Sequence, residues 1–350
     1  MDEAMKSRGC KVALVLGSGG ARGYAHIGVI EALEARGFEI IAIAGCSMGA
    51  VVGGVYAAGK LPEYRDWVCR LDYLDVLRLV DVTWSPMGAM RANKVMDKLA
   101  GLVDDIELQD LSVPVTTVAT DMTRQREVWF QHGPLLRAIR ASIAVPGVIT
   151  PVTLGDQVLV DGGLLNPLPI MPVLAAHEAD IVMAVNATAH TPRPVTLDEM
   201  LPADAAPAEP PAATREGADT MGHWVSEVKS ATRRLWGGLG CAEDRSDAEL
   251  PGAEAPDAEA RGKREWGKLD MILQSFDITQ AALARYKVAG YPPDVLVEVP
   301  KTVCSAYEFH RADALIRLGR TLADEALEQH LRSEARHDSP CVDNPPDEPD

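Results

Sequence analysis

Short apolar runs punctuated by glycine dominate the first sixty residues. Val12–Leu16 is continuous and ends at Gly17, the pattern of a strand buried on both faces. Between Tyr24 and Arg36, the apolar residues Ile27, Ile30, Ala32 and Leu33 recur at helical spacing, and Gly37 supplies a stop. Ile40–Ala44 repeats the buried-strand pattern, and Ala50–Ala58 is a helix of small residues. Strand, glycine loop, helix, strand, tight turn, helix is the order of a parallel sheet with crossover helices. Further strands are expected at Val113–Ala119, Glu127–Gln131, Gln157–Val160, Ile181–Val185 and Val295–Glu298. Helices are expected at Glu63–Val80, Lys94–Leu102, Leu135–Ile143 and Met271–Tyr286, and Ala306–Leu331 is a closing helix pair or one long helix. The fold class that follows is α/β, with a central, mostly parallel sheet flanked by helices.

Ile40–Gly59 contains no charge and has the length of a membrane span. Five glycines interrupt it, with Gly45, Ser47 and Gly49 grouped in the middle, so a buried strand, a turn and a buried helix explain it better. Composition changes after Ala189. His190–Pro211 is rich in proline, alanine and acid, and Glu243–Ala260 is acidic and of low complexity, too polar to offset ordering entropy. The expected organisation is one domain over residues 10–333, interrupted by an insert at about 190–265, with a disordered acidic tail at 334–350. Inside the insert, Met221–Trp236 places Trp224, Val225, Val228, Ala231, Leu235 and Trp236 at helical spacing, with Lys229, Arg233 and Arg234 mostly off that stripe. Such a helix suits a membrane surface, although a helix packed on the core has the same pattern.

Acidic residues outnumber basic ones 51 to 34, a formal charge of −17 that argues against nucleic acid as a partner. The excess is uneven. Residues 195–267 carry 15 acids and 8 bases, and residues 334–350 carry 6 acids and 1 base, so the remainder is close to neutral. Acidity therefore does not count against a membrane surface. The six cysteines form no CxxC pair, and the apolar run after Lys11 is too short for a secretory signal, which together suggest a reducing, cytoplasmic setting.

Two glycine motifs carry the chemistry. Gly45-Cys46-Ser47-Met48-Gly49 is a GxSxG between a strand and a helix, the context of a nucleophile elbow. Its glycines admit a turn too tight for nearby Cβ atoms, and the turn presents Ser47 above the carboxyl ends of the strands. An ordinary strand-to-helix turn built from small residues is the plainer alternative. The second motif is Gly17-Ser18-Gly19-Gly20-Ala21-Arg22-Gly23. A dinucleotide fingerprint needs glycine where Arg22 stands and an acid closing the second strand, and a P-loop needs Gly-Lys-Ser/Thr. Consecutive glycine amides facing a serine turn instead suit an oxyanion hole, and the pair of loops favours acyl transfer. The base stays open on spacing alone. His26 suits packing or capping, His132 and His310 are candidates, and so is Asp161 in Leu159-Val160-Asp161-Gly162-Gly163, where Asp-Gly is also a common turn.

Gly17–Gly23, Gly45–Gly49 and Asp161-Gly162-Gly163 resemble, in order and spacing, the three blocks of the patatin-like phospholipases. The chain is similar in particular to bacterial members that resemble the catalytic domain of neuropathy target esterase. Weaker blocks agree at Ala119-Thr120-Asp121-Met122, at Ala138–Pro146 with Arg140, Ser142 and Pro146, and at Asn166–Pro169. The likeness covers residues 10–190 and resumes at Tyr291-Pro292-Pro293-Asp294-Val295. It implies a patatin-like three-layer fold and a Ser–Asp dyad without histidine: Ser47 as nucleophile and Asp161 as base. Gly19 and Gly20 amides would hold the oxyanion within the Gly17–Gly23 loop, with Arg22 shaping the loop and facing a phosphate or carbonyl. The substrates implied are fatty acyl esters of phospholipid or lysophospholipid, with no metal or organic cofactor. Since an ordinary aspartate is a poor base for a hydroxyl, Asp161 is expected to be desolvated and its pKa raised. A His-based thioesterase or peptidase, a nucleotide-binding module and a regulatory protein with little turnover are the competing classes.

Overall fold

The computed structural model describes residues 9–85, 88–174, 179–201 and 268–337. Two compact units partition the chain, Met1–Ala206 with Phe276–Asp350, and Pro207–Ser275. Only residues 268–275 of the second are described. The proposed membrane helix with Trp224, Val228, Leu235 and Trp236 lies outside the described residues.

In chain order the elements are β1 (Lys11–Leu16), α1 (Ala25–Ala35), β2 (Glu39–Cys46), α2 (Met48–Ala57), α3 (Leu61–Val68), α4 (Tyr73–Leu79), β3 (Val82–Ser85), β4 (Gly88–Met90) and α5 (Asn93–Val103). Next come β5 (Val115–Asp121), β6 (Arg126–Phe130), α6 (Leu135–Ser142), β7 (Gly147–Ile149), β8 (Val152–Leu154) and β9 (Gln157–Asp161). The remainder is α7 (Ile170–Leu174), β10 (Ile181–Ala189), α8 (Leu197–Met200), α9 (Lys268–Gly290), β11 (Val295–Pro300) and α10 (Ala312–His337). The main sheet runs β11-β10-β1-β2-β5-β9-β8, with β6 also paired to β5. The pairs from β11 through β5 are parallel, while β6, β8 and β9 join antiparallel. Sequence direction reverses at β1, with β2 and β5 to one side and β10 and β11 to the other. Ligands of open α/β sheets sit outside the carboxyl ends of the strands at such a point.

Alternation along the central strands separates two cores. Val12, Leu14 and Leu16 of β1 join Ile40 and Ile43 of β2 in the larger core, with α1, α2 and α10. Ala13, Val15, Ala42, Ala44 and Ala184 face the other way, onto Leu168, Ile170, Val173 and Ala284. A register shift between Val12 and Ala13 against β2 absorbs Ile41, which keeps Ala42 and Ala44 on the small-residue face. This is a three-layer α/β arrangement. Small side chains on the second face let α7 and α9 approach the sheet closely.

Several elements differ from expectation. The single helix foreseen at Glu63–Val80 is two, α3 and α4, because Asp72 accepts from the Asp75 amide at 2.7 Å and starts a new helix with a capping box. The short strands β3, β4, β7 and β8 carry too little periodicity to be foreseen. The closing segment is one long helix, α10, entered through a short turn at Phe309–Arg311. Order also passes the composition change at Ala189: Leu197 is buried, and the Val195 amide donates to Thr302 Oγ1 at 3.0 Å. Uncharged Ile40–Gly59 forms β2 and α2 in the core, and among the described residues no helix is long and apolar enough to cross a membrane.

Helices α1 and α10 cross so closely that two glycines are required. A Cβ on Gly28 would strike the Ile316 carbonyl oxygen, and one on Gly319 would strike that of Ala25. By contrast, a Cβ on Gly101 within α5 would meet nothing within 4 Å. Gly319→Ala should therefore destabilise the fold by about 1–3 kcal/mol. Gly101→Ala should stabilise it by roughly 0.5–1 kcal/mol. Thermal unfolding of the two variants should show shifts of opposite sign.

Candidate active site

Ser47 occupies the junction of β2 and α2 with φ 54° and ψ −119°, a left-handed conformation that is strained for a non-glycine residue. The turn closes because Gly45 and Gly49 lack side chains. A Cβ on Gly45 would sit 2.5 Å from the Gly49 carbonyl oxygen, and one on Gly49 would strike that of Leu16. Ser47 precedes the helix, and its side chain makes no capping hydrogen bond. Its amide donates to Ser142 Oγ at 2.8 Å, and Ser142 Oγ donates to the Val118 carbonyl at 2.6 Å. A buried hydroxyl on α6 thereby pins the elbow to β5.

The same strand sets the position of Asp161. Cys46 at the end of β2 is level with Val118, and Ala119 pairs with Asp161 at the end of β9. With β6 along the other side of β5, β2 and β9 share one side of it end to end, so Ser47, which follows Cys46, and Asp161 meet near Ala119. Asp161 is fully buried. Its Oδ1 accepts from the Gly163 amide at 2.7 Å and lies 3.9 Å from the Cys46 thiol, which is the work of a turn-forming aspartate. Its Oδ2 has no hydrogen-bond partner among the described residues. Burial raises the carboxyl pKa to about 7, against smaller opposing effects from Ser47, Gly163 and Cys46. The Ser47 hydroxyl is thus near enough to favour the charged form without meeting Oδ2 at ordinary hydrogen-bond geometry. Catalytic pairs are often long at rest and tighten when substrate arrives. The charge of Asp161 also reaches Cys46 and Tyr307, whose ionisations are pushed up first by burial.

The glycine loop leaves β1 and enters a short helical turn at Gly20–Tyr24. The Gly17 amide donates to Val185 at 3.0 Å, Ser18 to Pro167 at 2.8 Å and Ala21 to Ala306 at 2.8 Å. The Gly17 amide is therefore committed to β10, within the loop whose Gly19 and Gly20 amides are the expected donors. Between these anchors the Gly19 and Gly20 amides have no acceptor among the described residues, and Gly20 takes φ +58° against the Ala306 backbone. Arg22, 3 % exposed, donates to Gly19 O at 3.1 Å, Lys301 O at 3.0 Å and Asp277 Oδ1 at 2.9 Å. All three of these acceptors belong to the protein, which ties the guanidinium to the loop, to Lys301 and to Asp277. Gly23 lets Met48 of α2 pack close, and Gly162 does the same for the Val118 carbonyl.

None of the described histidines places a ring nitrogen in a hydrogen bond with Ser47. His26 is buried with Nε2 2.8 Å from the Gly17 carbonyl, and burial lowers its pKa to about 4. His132 is exposed beyond β6, and His310 is exposed with its ring edge-on to Tyr73. The weaker sequence blocks make local contacts: Asp121 caps the β5–β6 turn through Thr123 and Arg124, Arg140 holds Thr150, and Asn166 donates to Glu127. Ser142 was flagged without a role. Gln280 and Asp277 went unnoticed, and the signal available was a glutamine beside the inward stripe of Ala281, Ala284 and Val288. A shallow cavity of about 550 Å³ lies at the amino ends of the strands, lined by Phe38, Ile40 and Tyr56, and none of the candidate residues touches it. Among the described residues no three metal-ligating side chains converge.

A fold with a strained serine elbow, a glycine loop and a buried aspartate at the carboxyl ends of its strands belongs with the α/β hydrolytic folds. The protein-family model described as patatin-like phospholipase matches residues 14–174. An uncharacterized NTE family protein of Mycobacterium tuberculosis is 42% identical over 351 residues, covering 93% of this chain and 94% of that one. The protein named lysophospholipase NTE1 of Cryptococcus neoformans is 31% identical over 183 residues, 50% of this chain and 11% of that one. VipD from Legionella pneumophila superposes with a TM-score of 0.43 at 13% identity, over 92% of this chain and 67% of that one, too loosely to bear on the site. The chain belongs to the NTE family and carries a patatin-like phospholipase domain, a membership that implies lipid acyl hydrolase activity.

Folding raises the Asp161 pKa from 3.8 to about 7, so the folded chain keeps a proton that the unfolded chain releases across that window. Stability therefore falls as pH rises from 3.8 to about 7, and above that the full cost of the buried charge remains. Asp161→Asn removes the titration and keeps an acceptor for Gly163. Its melting temperature should exceed that of the wild type by several degrees at pH 8, with the difference gone at pH 4.

Proposed function

We propose that the protein hydrolyses fatty acyl esters of phospholipid or lysophospholipid with Ser47 as nucleophile and Asp161 as general base. The observation that carries this reading is the division of labour within one buried carboxylate: Oδ1 holds its own turn, while Oδ2, beside the serine elbow, has no partner among the described residues. In the first half-reaction Asp161 takes the Ser47 proton as Oγ attacks the ester carbonyl. The Gly19 and Gly20 amides receive the developing oxyanion. Collapse expels the lysolipid or glycerol alcohol, which takes the proton back from Asp161 and leaves an acyl-serine. Water, deprotonated by the same carboxylate, then releases the fatty acid. A base of pKa about 7 suits both directions of transfer near neutrality, where an ordinary aspartate would not. No step draws on a metal or organic cofactor. The stretch 221–236, with Trp224, Val228, Leu235 and Trp236, supplies membrane-surface contact in this reading.

A fluorophosphonate probe should label the wild type and fail to label Ser47→Ala, and unlabelled wild type would remove the main support for a serine hydrolase. On a soluble short-chain ester, kcat/KM should rise about tenfold per pH unit below a midpoint near 7 and level off above it. Asp161→Asn should lose at least about 1000-fold in kcat, on the scale of losing a triad member. Retained activity in that variant, together with inactivity after replacing His132 or His310, would instead establish a histidine base. Deleting residues 205–262 should weaken binding to anionic phospholipid vesicles while sparing turnover of the soluble ester.

A further inference from the structure

We propose that Gln280 and Asp277, one turn apart on α9, are positioning residues that lock the anion-binding peptide of the glycine loop in register with the Asp161 turn. The inference rests on the assignment of Gly19 and Gly20 as oxyanion donors and Asp161 as base. Gln280 is 4 % exposed and comes from far along the chain. Its Oε1 accepts from the buried Ser18 hydroxyl at 3.2 Å. Its Nε2 packs on Gly163, on the side where a Cβ would also lie 3.0 Å from Asp161 Oδ1. One amide side chain thus touches both the loop with the donors and the turn with the base.

Asp277 acts on the same loop through Arg22. It holds the guanidinium at 2.9 Å, and Arg22 Nε donates to Gly19 O at 3.1 Å. That carbonyl belongs to the same planar peptide as the Gly20 N–H, so fixing one end fixes the direction of the other. The peptide lies between two glycines, whose backbones rotate more freely than any other residue's, and without a brace it can turn its N–H away from the oxyanion. Lys301, 3.7 Å from Asp277 Oδ2, completes the ion-pair cluster.

The tests use the full-length protein on a soluble ester, with melting temperature recorded for every variant. Gln280→Leu leaves the Ser18 hydroxyl without its acceptor, and kcat should fall about 10- to 100-fold with KM within twofold, short of the roughly 100- to 1000-fold loss from removing a donor outright. Ser18→Ala should fall similarly, and the double variant should be no worse than either single one. Gln280→Glu keeps an acceptor for Ser18 but sets a negative charge beside Asp161. It should recover most of kcat at high pH, with the pH midpoint displaced upward by about one unit. Asp277→Asn should lower kcat, and Asp277→Glu should restore it. Wild-type kcat in Gln280→Leu, or losses that add in the double variant and track melting temperature, would overturn the proposal. If Gln280→Leu loses kcat while Asp161→Asn keeps it, the base assignment fails and the brace stands. If Asp161→Asn is inactive and Gln280→Leu is unimpaired, the brace alone fails.

Discussion

A carboxylate buried to zero exposure, with only one of its oxygens satisfied, constrains everything around it. Such a group stays charged only at a cost, and neutralisation near pH 7 is the form that cost takes here. The cost is tolerable because the backbone around Asp161 is tied down from several directions. Its amide donates to Ala144 at 2.9 Å, its neighbour Ala119 fixes its height, and Gly163 closes the turn onto Oδ1. β5 is the common reference, since β2 and β9 pair with successive stretches of the same side of it, opposite β6. A slip of one residue in either ladder would separate Ser47 from Asp161 and turn side chains to the wrong face. Ser142 guards against that slip by joining the elbow amide directly to the Val118 carbonyl.

The glycine loop obeys the opposite logic. Its Gly19 and Gly20 amides have no acceptor among the described residues, so that short stretch of chain lacks internal satisfaction. Its neighbours supply the rigidity it lacks: Val185 on β10, Pro167 before α7, Ala306 after β11, and Arg22 folded back on Gly19. Two of these four, Val185 and Ala306, lie beyond residue 174, where the patatin-like match ends. The matched segment thus contains the donors, whereas part of what holds them comes from beyond it, at Val185 and Ala306.

What was legible in the residues was what local physics decides. The run Val12–Leu16, the small helix after Ser47 and the two glycine motifs depend on neighbours a few positions away, and they stand where their patterns place them. Strand β9 was legible too, ending at Asp161 beside two glycines. Partnerships across long separations were not. Nothing near Ser18 announces Gln280, 262 positions away, and nothing near Arg22 announces Asp277, 255 positions away. The Gly17 amide is a further case: its commitment to Val185 depends on the parallel pairing of β1 with β10, about 170 positions away in the chain. The split of α3 from α4 is a subtler failure, since the capping pair Asp72 and Asp75 was visible, but the apolar spacing ran through it.

One cause, burial, acts on two ionisable groups beside the glycine loop and drives them apart. His26 falls to about 4 and Asp161 rises to about 7, each toward its neutral form. Facing a carbonyl that can only accept, His26 Nε2 carries the proton and donates to Gly17 at 2.8 Å. It therefore holds that contact without titrating anywhere near neutral pH, as a structural donor should. Asp161 meanwhile passes between its two forms in the range where a base must both accept and return a proton. Exchanging the two residues would fail on both counts: a charged carboxylate beside the Gly17 carbonyl would repel it, and a buried histidine of low pKa would be a weaker base for Ser47. The enclosure of the site thus assigns the carboxylate to proton transfer and the imidazole to holding the loop.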